Sequence, residues 1–149
     1  MVPVPAAAIE LVKRWEGFRA KPYLCPAGVP TIGYGTVIDS LDHPPITEAE
    51  GERLLIDHLA RDVLAVYRLC PTLVYEPGHH KVAALASFVY NLGAARLATS
   101  TLRRKVNAWD WEGAEAEFHK WVWAGGRKLP GLVARRAEEA ALFATGKIR

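Results

Sequence analysis

The sequence predicts an α+β fold with segregated elements: one helix, a small N-terminal β-hairpin lobe, then a larger helical lobe reached through a long helix. Two observations carry this. Residues 18–38 hold three prolines and three glycines, which exclude helix over most of that segment. On both sides of it apolar residues recur at helical intervals, over 6–15 before it and over 47–68 and 79–92 after it, stretches longer than ordinary strands. The length of 149 residues suits a single domain, so 1–149 is expected to form one unit.

The first helix is expected from Ala6 to Trp15. Ala8, Leu11, Val12 and Trp15 form its stripe, Ile9 widens it, and Glu10, Lys13 and Arg14 lie off it. Pro5 suits its start and Gly17 its end, which leaves Glu16 at the carboxyl end. Tyr23 to Cys25 and Thr31-Ile32 read as short strands around a turn at Pro26-Ala27-Gly28, and 39–46 as a loop.

Thr47 and Glu50 form a capping box that opens the long helix. Leu54, Leu55, His58, Leu59, Val63 and Val66 make its apolar side, and Cys70-Pro71 ends it. After a loop through Pro77-Gly78, residues 79–92 form a strongly apolar helix, expected at the centre of the core. Ser100 or Thr101 caps a short helix to Asn107, and Asp110 caps another to about Trp121. Gly125-Gly126 breaks the chain. Pro130-Gly131 opens a last helix to Ala144, ended by Gly146.

Composition limits the function. Half of the residues are hydrophobic and the net charge is +3, which excludes a disordered polyelectrolyte. The basic excess sits late: residues 1–102 carry nine basic and ten acidic side chains, residues 103–149 ten and six. A mild cationic face favours encounter with a polyanion, but a nucleic-acid domain is usually more basic, so no nucleic-acid partner is expected. Two cysteines are too few for a disulfide scaffold. The uncharged run Met1 to Ile9 is too short to span a bilayer and lacks the charged head of a signal peptide. Cytoplasmic synthesis without stable membrane insertion is the expectation.

Glu16, Cys25 and Thr31 are grouped where the first helix meets the hairpin, with eight residues between the first pair and five between the second. A glutamate at a helix carboxyl end faces the negative pole of the helix dipole, which disfavours its ionised form, more so if Trp15, Phe18 or Tyr23 shields it. A carboxylic acid kept protonated near neutral pH suits general-acid work; the plainer alternative is a surface glutamate that ends a helix. The histidines offer no metal set: His79-His80 are adjacent, and no HExxH or CxxC spacing occurs. Neither a metal nor a cofactor is expected. Trp109, Trp111, Trp121 and Trp123 read as mostly core, with Trp121 and Trp123 able to reach a cleft. Arg103-Arg104-Lys105 reads as a solvated face that helps docking on a polyanion.

The spacing of Glu16, Cys25 and Thr31 resembles the catalytic signature of phage-type lysozymes, glycoside hydrolase family 24. So do RWEGFRAKPYLCPAGVPTIGYGT at 14–36, SFVYNLGAARLATSTLRRKVN within 84–107, and WVWAGGRKLPGLVARRAEEAALF at 121–143, in the family's order. The resemblance implies a lysozyme-like fold. It also implies a muramidase that hydrolyses the β-1,4 bond between N-acetylmuramic acid and N-acetylglucosamine in peptidoglycan for host cell lysis. Glu16 is then the general acid, and Cys25 and Thr31 hold or activate the water on the opposite sugar face, the inverting geometry. Arg135 matches an arginine that pairs with the catalytic glutamate, and Arg136 is the competing candidate. Tyr90 and Asn91 match cleft positions; a core aromatic and a helix-ending Asn are the alternatives.

Cys25 departs from the family's commoner aspartate. It is expected as a base or water holder; as a nucleophile it would give retention. Cys70 is expected as a free, partly buried thiol. The resemblance further implies a monomer that needs no cofactor. It would depend on a holin-type pore, being made in the host cytoplasm and acting on the wall in the periplasm after release. The rival reading is a catalytically lapsed wall-binding or structural phage protein with the same fold.

Overall fold

The structure is a computed structural model that describes residues 3–148. Helix α1 (Ala6–Glu16) starts after Pro5 and stops at Gly17, whose positive φ of 68° takes the chain out of the helix. Its inner face, Ala8, Leu11 and Val12, is fully buried. Strands β1 (Arg19–Leu24), β2 (Pro30–Gly33) and β3 (Thr36–Val37) follow as an antiparallel sheet in that order. Tyr23 pairs with Thr31 and Leu24 with Pro30, and the register shifts between Arg19 and Tyr23. Pro22, which has no N–H for a ladder, lies in that irregular stretch.

Helix α2 (Glu48–Leu69) has 22 residues, about 33 Å of helix. Thr47 Oγ1 accepts the Glu50 N–H at 3.2 Å, while the Glu50 carboxylate takes the Thr47 hydroxyl at 3.1 Å rather than the backbone N–H of a full capping box. Its amino-terminal half packs on β2 and β3, and α3 (His80–Leu92) lies along it. Every residue of α3 from Val82 to Val89 is buried, because α1, α2 and α7 (Pro130–Thr145) all pack on it. Between α3 and α7 come α4 (Ala94–Ala98), α5 (Thr101–Asn107), α6 (Trp111–Phe118) and the hairpin β4 (Trp123–Ala124) and β5 (Arg127–Lys128). The aromatic part of the core, Phe88, Phe118, Phe143 and Trp121, lies where α3, α6 and α7 meet.

The expected α+β order is observed, with several corrections. The β lobe is a three-stranded sheet, not a hairpin. Strand β3, the turn of 3₁₀ helix at Pro71–Tyr75, α4 and the β4–β5 hairpin are additional. Each is short: two to five residues carry no periodic signal. Gly125 and Gly126 both have positive φ, the conformation a tight hairpin turn requires, so they connect two strands instead of only breaking the chain. Helix α6 stops at Phe118, short of Trp121. The Lys120 and Trp121 N–H groups turn back to Glu117 and Phe118, and this turns the Trp121 indole edge-on to Phe88. Ser100, not Thr101, caps α5, accepting the Arg103 N–H at 3.0 Å.

The basic run at 103–105 is not simply solvated. Arg103 donates from Nε to the Leu69 carbonyl at 2.8 Å and from Nη1 to the Ala98 carbonyl at 2.9 Å, fastening the end of α2 to α5. Trp109 and Trp123 are exposed, against the expectation that the tryptophans are mostly core. Both cysteines are free, and Cys70 is fully rather than partly buried. Burial pushes its thiol up to about 11. Among the described residues no helix is long and apolar enough to cross a membrane, and no group of His, Cys, Asp or Glu could hold a metal.

Candidate active site

Glu16 is the last residue of α1, and α7 holds that end in place. The Trp15 indole N–H donates to Glu138 Oε2 at 2.6 Å and Arg14 Nη1 to Glu138 Oε1 at 2.8 Å. With α1 docked this way, Arg135 Nη1, one turn before Glu138, reaches Glu16 Oε2 at 2.8 Å. Arg135 is 5% exposed and the Glu16 side chain 22%, so the carboxyl forms the solvent-facing end of a buried charge chain.

That chain runs inward. Glu139, completely buried, accepts from Arg135 Nε at 3.3 Å and from Ser87 Oγ at 2.6 Å. Arg136 sits against the same carboxylate, Nε to Oε1 at 2.7 Å, and donates from Nη2 to Asn91 Oδ1 at 2.9 Å. Its guanidinium also lies 5.3 Å from the Phe88 ring centre. Burial pushes the Glu139 carboxyl up, and Arg136 and then Arg135 pull it back. The arrangement alternates acid and guanidinium, which is how a protein interior tolerates such charges. It also separates the two arginines that the sequence left as alternatives: Arg135 meets Glu16, and Arg136 faces Glu139 and Asn91.

The other face of Glu16 meets the β2–β3 turn. A Cβ on Gly35 would stand 2.7 Å from Glu16 Oε1, and Gly35 has a φ of 78°, so only glycine fits this turn against the carboxyl. The preceding residue, Tyr34, accepts at its carbonyl the hydroxyl of Tyr90 from α3, at 2.5 Å. Tyr90 therefore ties the helical lobe to the turn that touches Glu16. Its ring is stacked on His58 with centroids 4.3 Å apart. Burial, and after it Glu16, drives the Tyr90 phenol far above its ordinary range.

Cys25 and Thr31 come together at the β1–β2 turn. The Cys25 N–H donates to the Val29 carbonyl at 3.0 Å, and the Gly28 N–H to the Cys25 carbonyl at 2.8 Å. This curls backbone N–H groups around the sulfur. The Val29 amide holds the Cys25 thiol below its ordinary value; burial opposes it, and the Ala27 amide, the Thr31 hydroxyl and the Gly28 amide add to it. Thr31 is buried, and its one hydroxyl proton has two acceptors in reach, the Val29 carbonyl at 2.8 Å and the Cys25 sulfur. Tyr23 lies near both groups: its phenol is raised by burial first, then by Glu16, and in smaller part by Cys25.

One member of this site was not singled out from sequence. His58 reads there as part of the apolar side of α2, but it is half-buried beneath Tyr90 and close to Asp62, Nε2 to Oδ2 at 3.5 Å. Burial holds the imidazole below its ordinary value, with Arg61 adding and Glu16 opposing. Burial also pushes the Asp62 carboxyl up to about 7. The only local signal was a histidine among Leu54, Leu55 and Leu59 on the half of α2 that adjoins the sheet. Trp121 lies in the core against Phe88, and Trp123 projects from the β4–β5 hairpin.

The chain is similar to known proteins over most of its length. The phage lysozyme family model matches residues 13–139. The endolysin of Acyrthosiphon pisum secondary endosymbiont phage 1 is 40% identical over 138 residues, covering 89% of this chain and 92% of that one. The SAR-endolysin of Bacteriophage PS119 is 40% identical over 134 residues, covering 89% of this chain and 78% of that one. Among solved structures, an endolysin from Escherichia coli O157:H7 phage FAHEc1 superimposes with a TM-score of 0.83 at 27% identity, covering 99% of this chain and 97% of that one. Matched over most of its length in sequence and in fold, with Arg135 and the Gly35 turn both meeting the Glu16 carboxyl, the chain belongs to the phage lysozyme family and is a muramidase of the endolysin type.

Proposed function

We propose that this endolysin cleaves peptidoglycan with inversion, Glu16 acting as general acid and the Cys25 thiolate as the base that activates water. The observation that carries this reading is the Cys25 turn, where amide N–H groups and the Thr31 hydroxyl favour the sulfur anion. Arg135 can only donate, so it fixes Glu16 Oε2 as an acceptor and leaves Oε1 to carry the proton. In the reaction Glu16 protonates the bridging oxygen as the bond to the anomeric carbon breaks. A water on the opposite face attacks that carbon and gives its proton to the sulfur, with Thr31 turning its hydroxyl between the sulfur and Val29.

Asn91 and Tyr90 take supporting places. The Asn91 carbonyl oxygen is engaged by Arg136, so its NH₂ end is the one suited to an N-acetyl carbonyl. Tyr90 acts through its hydroxyl on Tyr34, with His58 packed on one face of its ring. Residues 1–149 are proposed to work as one catalytic unit, in keeping with a core cluster that draws on residues from α1 to α7. Passage to the wall is proposed to use a holin-type pore. Expression in a host lacking one should leave the culture intact until the membrane is permeabilised.

The deciding experiment is the anomer first released, followed by NMR on a soluble glycan. The inverted anomer is expected. A retained anomer would move Cys25 from base to nucleophile, a role its lowered thiol also suits.

A further inference from the structure

At the far end of α2 from the sheet, a group of aromatic side chains faces outward. Gly33 of β2 meets α2 at Gly51, where a Cβ on Gly33 would stand 3.4 Å from the Gly51 Cα. Tyr75 follows the other end of the helix, beyond Leu69, and 18 residues of helix span about 27 Å. Tyr75 is 78% exposed, Val74 66% and Trp109 46%. The Tyr75 and Trp109 ring centroids are 6.5 Å apart and the planes tilt by 35°.

Trp109 is set there by the end of α5. Among the described residues it is the only non-glycine with a positive φ, 61°. It follows the α5 C-cap Ala108, the place where a left-handed residue ends a helix, and so it is turned out of the helix at the surface. The turn is pinned by the Trp109 N–H on the Val106 carbonyl at 3.1 Å and the Asp110 N–H on the Lys105 carbonyl at 3.0 Å. Its indole is braced by Trp111 at 5.5 Å, and Trp111 in turn carries Lys81 Nζ 5.0 Å from its ring centre. Lys105 and Asp110, paired at 3.2 Å, supply a polar rim.

We propose that Tyr75 and Trp109 form a second contact for the glycan strand of peptidoglycan, remote from the cleft. A pyranose ring presents C–H groups on its faces, which pack on aromatic faces, while its hydroxyl and acetamido groups turn outward to polar side chains such as Lys105 and Asp110. Three exposed apolar side chains are far fewer than the roughly 20–30 residues per side of a stable protein interface, which argues against a second copy. A polymer already held in the cleft gains from a weak second contact, because that contact forms intramolecularly. The inference rests on the muramidase function and not on the role given to Cys25.

The test uses the full chain carrying Tyr75→Ser, Trp109→Gly, or both; glycine suits the left-handed backbone at 109, and Tyr75 lies on the surface. Binding to purified sacculi is read by co-sedimentation on ice, and turnover on a soluble glycan of four sugars. The double variant should bind sacculi about five-fold more weakly, with turnover of the short glycan unchanged. Unchanged co-sedimentation would overturn the proposal. So would an equal fall in short-glycan turnover, which would place the effect in the cleft. A change in sedimentation velocity would make the patch a contact between copies. Loss of binding to phosphatidylglycerol vesicles with sacculus binding intact would make it a lipid contact. Either result also overturns the proposal. Failure of the muramidase reading shows separately, as no wild-type turnover of the short glycan.

Discussion

Arg135 Nη1 lies 2.8 Å from Glu16 Oε2, joining the last turn of α1 to α7 across the core. The next residue, Arg136, has no part in that contact and is fully buried against Glu139. Neighbours on a helix point about 100° apart, so although both arginines touch Glu139, only Arg135 also reaches Glu16.

Arg135→Lys keeps the charge but loses the fork that holds Glu16, Ser87 and Glu139 together. We expect kcat to fall by about 10–100-fold with KM little changed, since orientation of the acid is what is lost. Glu16→Gln should abolish lysis and leave the circular dichroism spectrum intact. Lysis by that variant would remove Glu16 as the acid.

Glu139→Gln leaves two buried guanidiniums without their shared carboxylate. Urea unfolding should show a loss of about 3–5 kcal/mol. Ser87→Ala, which removes one hydroxyl contact to the same carboxylate, should cost about 1–2 kcal/mol.

Cys25→Ala should cut activity deeply, and Cys25→Asp should keep or raise it. The base must be ionised, so wild-type activity falls as pH drops through the pKa of the thiol. In Cys25→Asp that acid limb should move to lower pH, toward the ordinary carboxylate range. Iodoacetamide should label one thiol in the native protein, Cys25, and two after unfolding, because burial keeps the Cys70 thiol at about 11.

Asp62 lies buried on α2 with its carboxyl pushed up to about 7 by burial. Folded protein therefore holds a proton there that the unfolded chain has lost above its ordinary value of 3.8. Stability from this group is present at pH 3–4 and is lost as pH rises through about 7. Asp62→Asn should raise stability at pH 8 by about 2 kcal/mol and leave it unchanged near pH 4, as read by thermal melts at the two pH values.

Tyr90→Phe keeps the ring on His58 and removes the hydroxyl from the Tyr34 carbonyl. Stability should fall by about 1 kcal/mol. Lysis rate should fall by more than that stability change accounts for, because the Tyr34-Gly35 turn loses its tether beside Glu16. A lysis rate equal to wild type would show that the tether has no bearing on the acid.

Local chemistry was legible in the sequence wherever it is itself local. The stripe of Ala8, Leu11 and Val12, the Thr47 cap, the buried run of α3 and the prolines of 18–38 each act within a few residues, so the helices and the β lobe followed from them. So did the nearness of Cys25 to Thr31, which only a turn separates. Strand β3 and the β4–β5 hairpin were not legible, because a strand of two residues exists only through its partner. The site itself was decided by the tertiary structure. Only the docking of α1 on α7 through Glu138 selects Arg135 over Arg136 for Glu16, and only the approach of α3 to the sheet sets the Tyr90 hydroxyl on Tyr34. His58 likewise stands out from the apolar stripe of α2 only because Tyr90 of α3 packs on it. Hydrogen bonds between groups far apart along the chain depend on where whole elements pack, and no short window of sequence contains that information.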